Sequence, residues 1–589
     1  MVNLKAKPYN LDAEAITWVE ETLASMTLEE KIGQLFVNMG SSREEQYLKD
    51  SLEQYKFGAV RYNPGTAEQV LEQNRVLQEN SKIPLLIAAN AETGANGAFM
   101  GGTDLGNAVK IAAAGSVENA YKIGQIAGKE CQAIGCNWNF GPVADIMLNW
   151  RNPVVQTRTF GNDADKVLEM TRAYMKGFME SDAACAVKHF PGDGVPERDH
   201  HLSNAINDMS CEEWEATFGK VYAGLIEAGL HSVMVGHIML PAFEKKYNKD
   251  YVEGQPIMPA TLSKAVVTDL LKGQLGFNGL VVTDASHMVG MTSRMKRRNF
   301  VPAAIAAGCD LFLFFNDPDE DFGYMMDGYK NGVITEERLH DAITRILGVK
   351  ASLGLHKKAK TDIVPAKEAL SIIGSEEAKN LAKEISDQAI TLVKNVDKAM
   401  LPLSVEKHKR ILLVEQEKSN PIMAMFMGAA KGKTFAEYFK DKLEAEGFEV
   451  EIYESPLDKI KRVSKEEAGK IMMNAYSGKA PITALTDKYD LVIQLASVDN
   501  VGASTQRIDW KMSKGTPDLP WYVEELPTLF ISLFSPFHLV DVPQVKTYIN
   551  CYDKHEHTMD ALVEKLMGRS EFKGTDPVDA FCGMMDTRW

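Results

Sequence analysis

The chain has 589 residues, of which 45% are hydrophobic and 25% are charged, and this composition predicts a globular protein of two or three domains. A formal net charge of -16 argues against a nucleic acid partner, because phosphate binding requires a basic face. The longest apolar run, VPAAIAAGCDLFLFF, is broken by Asp310 and is too short to cross a bilayer, which argues against a membrane partner.

The N-terminus and the cysteines predict the compartment. The first residues form an acidic, amphipathic pattern in which no signal peptide is apparent. The seven cysteines are scattered and include no C-x-x-C pair, which indicates reduced thiols. We therefore expect a cytoplasmic location.

Continuous apolar runs recur through the first 355 residues, each followed by a turn and then a helical pattern. Strands that are buried on both faces of a parallel sheet have such runs, and seven or eight βα units predict a (β/α)8 TIM-type barrel of the α/β class over residues 1–355. The runs are FGAVRY (57–62), PLLIAA (84–89), CNWNFGPVAD (136–145), ACAVKHF (184–190), HSVMVGHI (231–238), GLVVTDA (279–285) and CDLFLFF (309–315).

The rest of the chain predicts a second domain. Residues 356–385 are charged and loosely patterned, and we expect a linker and a helix there. From residue 386 to 589, strands alternate with helical stretches and predict an open α/β/α sandwich with a mostly parallel sheet. Its strands are expected at ITLVKN, RILLVE, FEVEIYE, YDLVIQLAS, TLFISLF and VKTYINCY.

The stretch KHFPGDGVPERDHH, residues 188–201, concentrates basic, acidic and imidazole side chains in one loop. It follows a predicted barrel strand, and other predicted strands also end in polar residues. Because TIM barrels build their active sites at the carboxyl ends of the strands, these residues are candidates for catalysis or binding. The candidates at strand ends are Glu92, Asp145, Lys188, His189, His237, Asp284, and Asn316 with Asp317.

Several motifs together resemble glycoside hydrolase family 3, and specifically its bacterial β-N-acetylglucosaminidase branch. KHFPGDG followed by D-x-H, and GLVVTDA further on, carry the resemblance, with IPLLIAANAETG, GCNWNFGPVADI, RNPVVQTRTFG and PATLS in the same order as in the family. AITLVKN with LPL is similar to the opening of the family's second domain. The resemblance implies a retaining exo-β-N-acetylhexosaminidase that hydrolyses terminal β-linked N-acetylhexosamine through a covalent glycosyl-enzyme intermediate, without a cofactor or a metal.

The resemblance assigns catalytic roles to three residues. Retaining hydrolysis needs a carboxylate nucleophile and a proton donor, and Asp284 at the end of an apolar strand fits the nucleophile. In this branch the donor is an imidazole held by an aspartate two residues upstream, and His201 with Asp199 has that spacing. Asp284 could instead cap the helix that follows it. Either histidine could instead be a solvated loop residue, and this is what we expect for His200.

Six residues are expected to bind the substrate. Lys188 and His189 suit sugar hydroxyls, and the planar fork of Arg158 suits hydroxyls or an acetamido carbonyl. Asp145, with Glu92, is interpreted as orienting Arg158 or Lys188, and His237 is expected either to touch the sugar or to support a residue that does. Asn90 stands where the family usually has an aspartate that binds sugar hydroxyls, so the sequence leaves open which sugar is preferred.

Other functions stay open at this stage. An imidazole acid leaves no negative charge against phosphate, so a β-N-acetylglucosaminide phosphorylase is the first alternative, and a β-glycosidase with another sugar preference is the second. A metal-dependent amidohydrolase should carry an early H-x-H pair, whereas the only such pair is His555 and His557. A non-catalytic sugar sensor would not need Asp284, Asp199 and His201. Self-association as a homodimer also stays open.

Overall fold

The computed structural model describes residues 2–418, 433–477, 481–498, 507–512 and 515–589. The chain forms two compact units. The first comprises Met1–Ala108 and Val117–Lys379, and the second comprises Val109–Ser116 and Asn380–Trp589. Within the described ranges no helix is both long enough and apolar enough to cross a membrane.

The first unit is a closed barrel of eight parallel strands, as the sequence predicted. The strands run in the order β1-β8-β7-β6-β5-β4-β3-β2, and β1 closes the barrel by pairing Val37 with both Leu313 and Ala59. Every residue of β5 is buried, which explains why the strands read as continuous apolar runs. The bounds are Phe36–Asn38 (β1), Ala59–Arg61 (β2), Leu86–Ala89 (β3), Trp138–Asn139 (β4), Ala184–Phe190 (β5), Ser232–Val235 (β6), Leu280–Ala285 (β7) and Leu311–Leu313 (β8).

Three strands differ from the sequence prediction, and one of them is β4, which takes up only Trp138–Asn139 of the predicted run 136–145. The first strand, β1, was missed because its three residues directly follow the helix Leu28–Gln34. The run HSVMVGHI is not one strand, since β6 ends at Val235 and Ile238–Met239 pairs instead with Ala205–Ile206 in a separate two-stranded parallel sheet. This small sheet joins the loops that follow β5 and β6, so it fixes the end of the histidine-rich loop.

Helices alternate with the barrel strands. Several begin with a capping box, for example Thr27 with Glu30 and Ser210 with Glu213, in which side chains satisfy the free N–H groups of the first turn. The α-helices are Ala13–Ser25, Leu28–Gln34, Glu45–Tyr55, Ala67–Asn80, Ala108–Ala113, Val117–Ala133, Ala164–Met179, Cys211–Trp214, Lys220–Glu227, Pro241–Tyr247, Val289–Thr292, Arg297–Ala307, Pro318–Lys330 and Glu336–Ser352, with π-helical turns at Glu215–Gly219 and Ala265–Gln274.

The stretch 356–385, expected as a linker and a helix, consists mainly of short helical turns. The 3₁₀ turns are Leu355–Lys357, Lys360–Asp362 and Lys367–Ile372, and the α-helix Glu376–Ala389 follows them. Shorter 3₁₀ turns also occur in the barrel loops, at Ala95–Gly97, Gln156–Arg158 and Ala260–Leu262.

The second unit contains a six-stranded mixed sheet. Its strand order is β9-β14-β13-β12-β10-β11, and β9 runs antiparallel to β14 while the other pairs are parallel. Leu491, Ile493 and Leu495 of one strand face a different apolar cluster from Val492, so both faces of the sheet are covered. The strands are Thr391–Asn395 (β9), Arg410–Lys418 (β10), Glu449–Ile452 (β11), Leu491–Val498 (β12), Thr528–Ser532 (β13) and Thr547–Asn550 (β14).

The helices of this second unit pack around that sheet. The α-helices after β9 are Val405–His408, Phe435–Ala445, Pro456–Lys459, Lys465–Ser477, Thr483–Thr486 and Glu556–Leu566, and the 3₁₀ turns are Ile460–Arg462, His538–Val540 and Asp586–Arg588.

A buried ion pair ties residues 109–116 into the second unit. Nζ of Lys110 lies 2.6 Å from Oδ2 of Asp553 and also donates to the hydroxyls of Ser386 and Thr558. Both charged side chains are buried, so each depends on the other for compensation.

Replacing Lys110 with methionine should therefore destabilise the protein strongly. Lys110→Met keeps the volume but leaves the buried Asp553 carboxylate without its cation, and we expect a loss of about 3–5 kcal/mol in the free energy of unfolding. Lys49→Met is the matched control, because it breaks the exposed pair between Lys49 and Glu45, which is worth less than about 1 kcal/mol. Denaturant unfolding measures both; similar unfolding midpoints would show that the buried pair contributes nothing.

Candidate active site

A cavity opens among the carboxyl ends of the barrel strands. Its volume is about 230 Å³, smaller than the roughly 300–1,000 Å³ of sites for drug-sized ligands, so it fits a single sugar ring. Six of the residues predicted from the sequence line it: Asn90, Arg158, Lys188, His189, His201 and Asp284. Asp199, Asp145 and His237 lie outside its wall.

Glu92 holds two cations at one side of the cavity. Its carboxylate accepts two hydrogen bonds from Arg158, Nε to Oε2 at 3.0 Å and Nη2 to Oε1 at 2.7 Å. Nζ of Lys188 lies 2.7 Å from the same Oε1. Burial alone would raise the pKa of Glu92, but the two cations hold that pKa far below its usual range, so the carboxylate stays charged. Glu92 thus holds Arg158 and Lys188 as a fixed row of hydrogen-bond donors.

His189 is oriented by Asp145. Nδ1 of His189 lies 2.7 Å from Oδ2 of Asp145, and the backbone N–H groups of His189 and Asp193 donate to Oδ1. Asp145 was expected to orient Arg158 or Lys188, and this was wrong, because its carboxylate is used by His189. Although burial raises the pKa of Asp145, the imidazole and the N–H donors lower it overall. Nδ1 therefore carries the proton, which leaves Nε2 of His189 for a ligand.

Asp199 and His201 form the pair that their spacing suggested. Nδ1 of His201 lies 2.6 Å from Oδ1 of Asp199, which also accepts the backbone N–H of His201 at 2.7 Å. The Asp199 side chain is buried, whereas 47% of the His201 side chain is exposed. Burial lowers the pKa of His201, but the hydrogen bond to Asp199 and the charge of Asp284 raise it above its usual value. The second ring nitrogen can therefore carry a proton near neutral pH.

His200 is buried, which corrects the expectation of a solvated loop residue. Its Nδ1 accepts the backbone N–H of His237 at 3.3 Å, and its Nε2 lies 3.5 Å from Oδ2 of Asp193, too far for a strong hydrogen bond. Burial lowers the pKa of His200 to about 3, so the ring is neutral. It does not line the cavity and is not placed to donate a proton there.

Asp284 ends β7 at the cavity. Its Oδ1 accepts the backbone N–H of Ala285 at 2.7 Å, and the next helix, Val289–Thr292, begins with Met288 as its N-cap, so Asp284 caps no helix. Burial opposes its charge, but the imidazole groups around it, among them the protonatable His201, hold the pKa of Asp284 well below its usual range. A charged carboxylate therefore faces the cavity.

His237 supports the backbone beside Asp284. Its Nδ1 lies 2.9 Å from Oγ1 of Thr261, and its Nε2 lies 3.0 Å from the carbonyl oxygen of Ala285. Both ring nitrogens are thus used and the side chain is buried. The expectation that His237 contacts a ligand is replaced by a structural contact one residue after Asp284.

Eight further residues line the cavity that sequence reasoning did not assign to the site, and four of them can contact a ligand through a charged, imidazole or aromatic side chain. Arg61 ends β2, and its Nη1 donates to Oδ1 of Asn63 at 2.7 Å; the rule that identified the other strand-end residues would have found it. His287 lies in the turn after Asp284 and also lines the cavity. Its position just after the GLVVTDA motif could have identified it from the sequence. Phe140 and Phe314 supply apolar walls and carried no chemical signal in the sequence.

The same loop also contains three potential metal ligands. Among the described residues, Asp199, His200 and His201 offer ligand atoms within 4.8 Å of one another. The hydrogen bond between Asp199 and His201 occupies one atom of each, and the Nδ1 of His200 accepts a backbone N–H. The donor set therefore fits proton transfer better than metal coordination.

Comparisons with known proteins agree with this geometry. Residues 27–349 match the family model described as "Glycosyl hydrolase family 3 N terminal domain". The chain is similar over its whole length to a β-N-acetylglucosaminidase/β-glucosidase of Cellulomonas fimi, with 40% identity over 590 residues that cover 100% of both sequences.

Solved structures are also similar. One, named β-glucoside phosphorylase BglX, has 39% identity and a TM-score of 0.89, with 99% of each chain covered. Another, a glycoside hydrolase family 3 β-N-acetylglucosaminidase from Paenibacillus sp. str. FPU-7, has 24% identity and a TM-score of 0.74, with 94% of this chain and 99% of that chain covered, and shows the shared fold alone.

The raised pKa of His201 should depend on Asp199. Asp199→Asn removes the negative partner, so the protonated imidazole loses stabilisation and its pKa should fall. Titration of ¹³C-labelled histidine by NMR measures this, with His201→Gln to assign the signal and the exposed Asp182→Asn as a control. An unchanged titration midpoint in Asp199→Asn would contradict the role of the hydrogen bond.

Proposed function

The chain belongs to glycosyl hydrolase family 3, and from this premise we propose that it cleaves terminal β-linked N-acetylglucosaminides or glucosides in two steps, with retention of configuration. The observation that carries the proposal is that the charged carboxylate of Asp284 shares a cavity with the protonatable His201, whose ring is hydrogen-bonded to Asp199. A nucleophile and a proton donor at one sugar-sized cavity are the two groups that retaining cleavage requires. The small volume of the cavity supports action on the terminal sugar.

In the first step Asp284 attacks the anomeric carbon. An oxygen of Asp284 forms a bond to this carbon while the bond to the leaving oxygen breaks, and Nε2 of His201 gives its proton to that oxygen. Asp199 stabilises the imidazolium before the transfer and holds the ring in orientation. The products are a glycosyl ester on Asp284, a free alcohol and a neutral His201.

In the second step the neutral imidazole acts as a base. It takes a proton from the acceptor, whose oxygen attacks the anomeric carbon and displaces the carboxylate of Asp284. Two inversions give retention. Because the base is uncharged, it does not repel an anionic acceptor as a glutamate would.

The donor row next to Glu92 suits the sugar hydroxyls. Arg158 and Lys188 are held in fixed positions, and Nε2 of His189 completes the set. Asn90 supplies both an amide donor and an acceptor where an aspartate would accept only. This pattern supports binding of a gluco-configured ring, and the relative from Cellulomonas fimi is named for both N-acetylglucosamine and glucose substrates.

Phosphate in place of water is the second candidate for the acceptor. It is supported by the 39% identity to the structure named β-glucoside phosphorylase BglX, whereas the β-N-acetylglucosaminidase structure has 24%. It is also supported by Arg61, which lines the cavity and forms no salt bridge within the described part of the chain. The sequence favoured water as the acceptor, because the loop with Asp199 and His201 contains no cluster of arginines or lysines that could bind phosphate. Arg198 is the one candidate in that loop, and it is exposed.

A cytoplasmic location and a homodimer stay predictions.

Asp284→Asn tests the nucleophile. The amide is isosteric and should leave the fold intact, but turnover should fall by about 10³-fold or more because no carboxylate can form the glycosyl ester. Steady-state rates measure the loss, circular dichroism checks the fold, and Asp182→Asn at the surface is the control. Turnover within tenfold of the parent would remove Asp284 from the nucleophile role.

The acceptor is decided by the identity of the product. The parent enzyme is incubated with an aryl β-glycoside in buffer with and without millimolar phosphate, and the products are identified by mass spectrometry. A sugar 1-phosphate as the main product, with a rate that rises with phosphate, establishes phosphorolysis. A free reducing sugar at an unchanged rate establishes hydrolysis. Under phosphorolysis, Arg61→Met should raise the KM for phosphate more than the KM for the glycoside.

A further inference from the structure

Two backbone hydrogen bonds join the turn after Asp284 to the loop that carries His201. The N–H of Val289 donates to the carbonyl oxygen of His201 at 3.0 Å, and the N–H of Gly290 donates to that of His200 at 2.9 Å. The nucleophile candidate and the donor candidate lie on loops after different strands, β7 and β5. These bonds therefore link the two catalytic candidates directly through the backbone.

Gly290 allows this close approach. A Cβ at this position would lie 2.9 Å from the carbonyl oxygen of His200 and 3.0 Å from both Cβ and the carbonyl oxygen of His237. Two of these neighbours are backbone atoms and the third is fixed to the backbone, so none can move aside without a loop shift. The requirement for glycine is steric, and it lies at the contact between the two loops.

The turn is itself fixed to the neighbouring strand. The backbone N–H of Ser286 donates to the carbonyl oxygen of Leu313, and its hydroxyl donates to that of Phe314 at 2.7 Å. Arg297 donates to the Ser286 hydroxyl at 3.0 Å and forms a 2.6 Å ion pair with the buried Asp321. The turn can therefore act as a rigid support for the histidine-rich loop.

The histidine-rich loop is also held on either side of His201, and beyond it the hydroxyl of Ser293, which follows the helix Val289–Thr292, donates to Oδ1 of Asn204 at 3.1 Å. His200 is held by the backbone N–H of His237, and the loop's far end is held by the pairing of Ala205–Ile206 with Ile238–Met239. His201 itself is half exposed, and its ring contacts Asp199 within the same loop. The position of the donor relative to Asp284 thus depends on the contacts made by Val289 and Gly290.

We propose that Gly290 and the N–H of Val289 are positioning elements for the proton donor, and that they set the separation between His201 and Asp284. This inference rests on the proposed function. A displacement of about 1 Å at a reacting group can lower a rate about 100-fold. The loss should appear only when the leaving group needs a proton.

Two variants remove the contacts separately. Gly290→Ala adds a methyl group that would clash with the carbonyl oxygens of His200 and His237. Val289→Pro removes the N–H that donates to His201, and proline suits this site because Val289 is the first residue of its helix and Met288 before it is extended, with φ -67° and ψ 140°. Gly128→Ala is the matched control, because its Cβ would lie 2.7 Å from the carbonyl oxygen of Phe178 in a helix contact that does not line the cavity.

The experiment compares kcat/KM for two β-glycosides of the same sugar, one with a 2,4-dinitrophenyl leaving group and one with a methyl leaving group. For Gly290→Ala and Val289→Pro we expect about a 100-fold loss with the methyl glycoside and less than about threefold with the dinitrophenyl glycoside. Gly128→Ala should change both values equally. In a His201→Ala background, Gly290→Ala should cause no further loss on the methyl glycoside, because it acts through the donor.

The outcomes separate the inference from the proposed function. Equal losses on the two substrates in His201→Ala itself would show that His201 is not the donor, and the proposed function would fail first. If His201→Ala discriminates between the leaving groups but Gly290→Ala and Val289→Pro behave like Gly128→Ala, the positioning role is wrong. Further loss from Gly290→Ala in the His201→Ala background would also overturn it.

Discussion

The carboxyl edge of the barrel holds several charged side chains away from water, and the need to compensate those charges organises the whole site. Glu92 stays ionised only because Arg158 and Lys188 contact it, and Asp145 only because His189 and two backbone N–H groups do. Each compensation also fixes a donor in one orientation. A ligand would therefore meet groups that are already placed, and binding would require little reorganisation.

The same surroundings separate the protonation states of neighbouring groups. Asp284 and His201 are close enough to stabilise each other's charges, so the pKa of the carboxyl is lowered and the pKa of the imidazole is raised. His200, one residue from His201, is neutral because it is buried and no carboxylate binds it as closely as Asp199 binds His201. Two adjacent histidines thus differ in role through burial and partner alone.

Much of the fold and part of the site could be predicted from the sequence. Continuous apolar runs identified seven barrel strands and the fully buried strands β12, β13 and β14, because burial on both faces leaves a direct signal. The partly exposed strands β9 and β11 were found from the alternation of strands with helices. The three-residue β1 follows a helix without a turn signal, so only barrel closure reveals it. The spacing of Asp199 and His201 indicated a local pair, which the coordinates contain.

The remaining site contacts could not be predicted because they are long-range. Nothing in the motif indicates that Asp145 holds His189, that His237 contacts the carbonyl beside Asp284, or that His200 points inward. Arg61 and Phe314 enter the cavity from β2 and from the end of β8, which lie far apart in sequence but close in the barrel. Such contacts depend on strand order and register, which a pattern along one chain does not contain.

Under the proposed function, the arrangement would also separate sugar recognition from the choice of acceptor. The row formed by Glu92, Arg158 and Lys188 is built on the loops after β3 and β4 and on β5, whereas His201 and His287 come from the loops after β5 and β7. A change in the second group can alter which nucleophile the neutral imidazole activates without disturbing the sugar donors. A hydrolase and a phosphorylase could therefore share one sugar site, one nucleophile and one proton donor, and differ only in the charges that surround the acceptor.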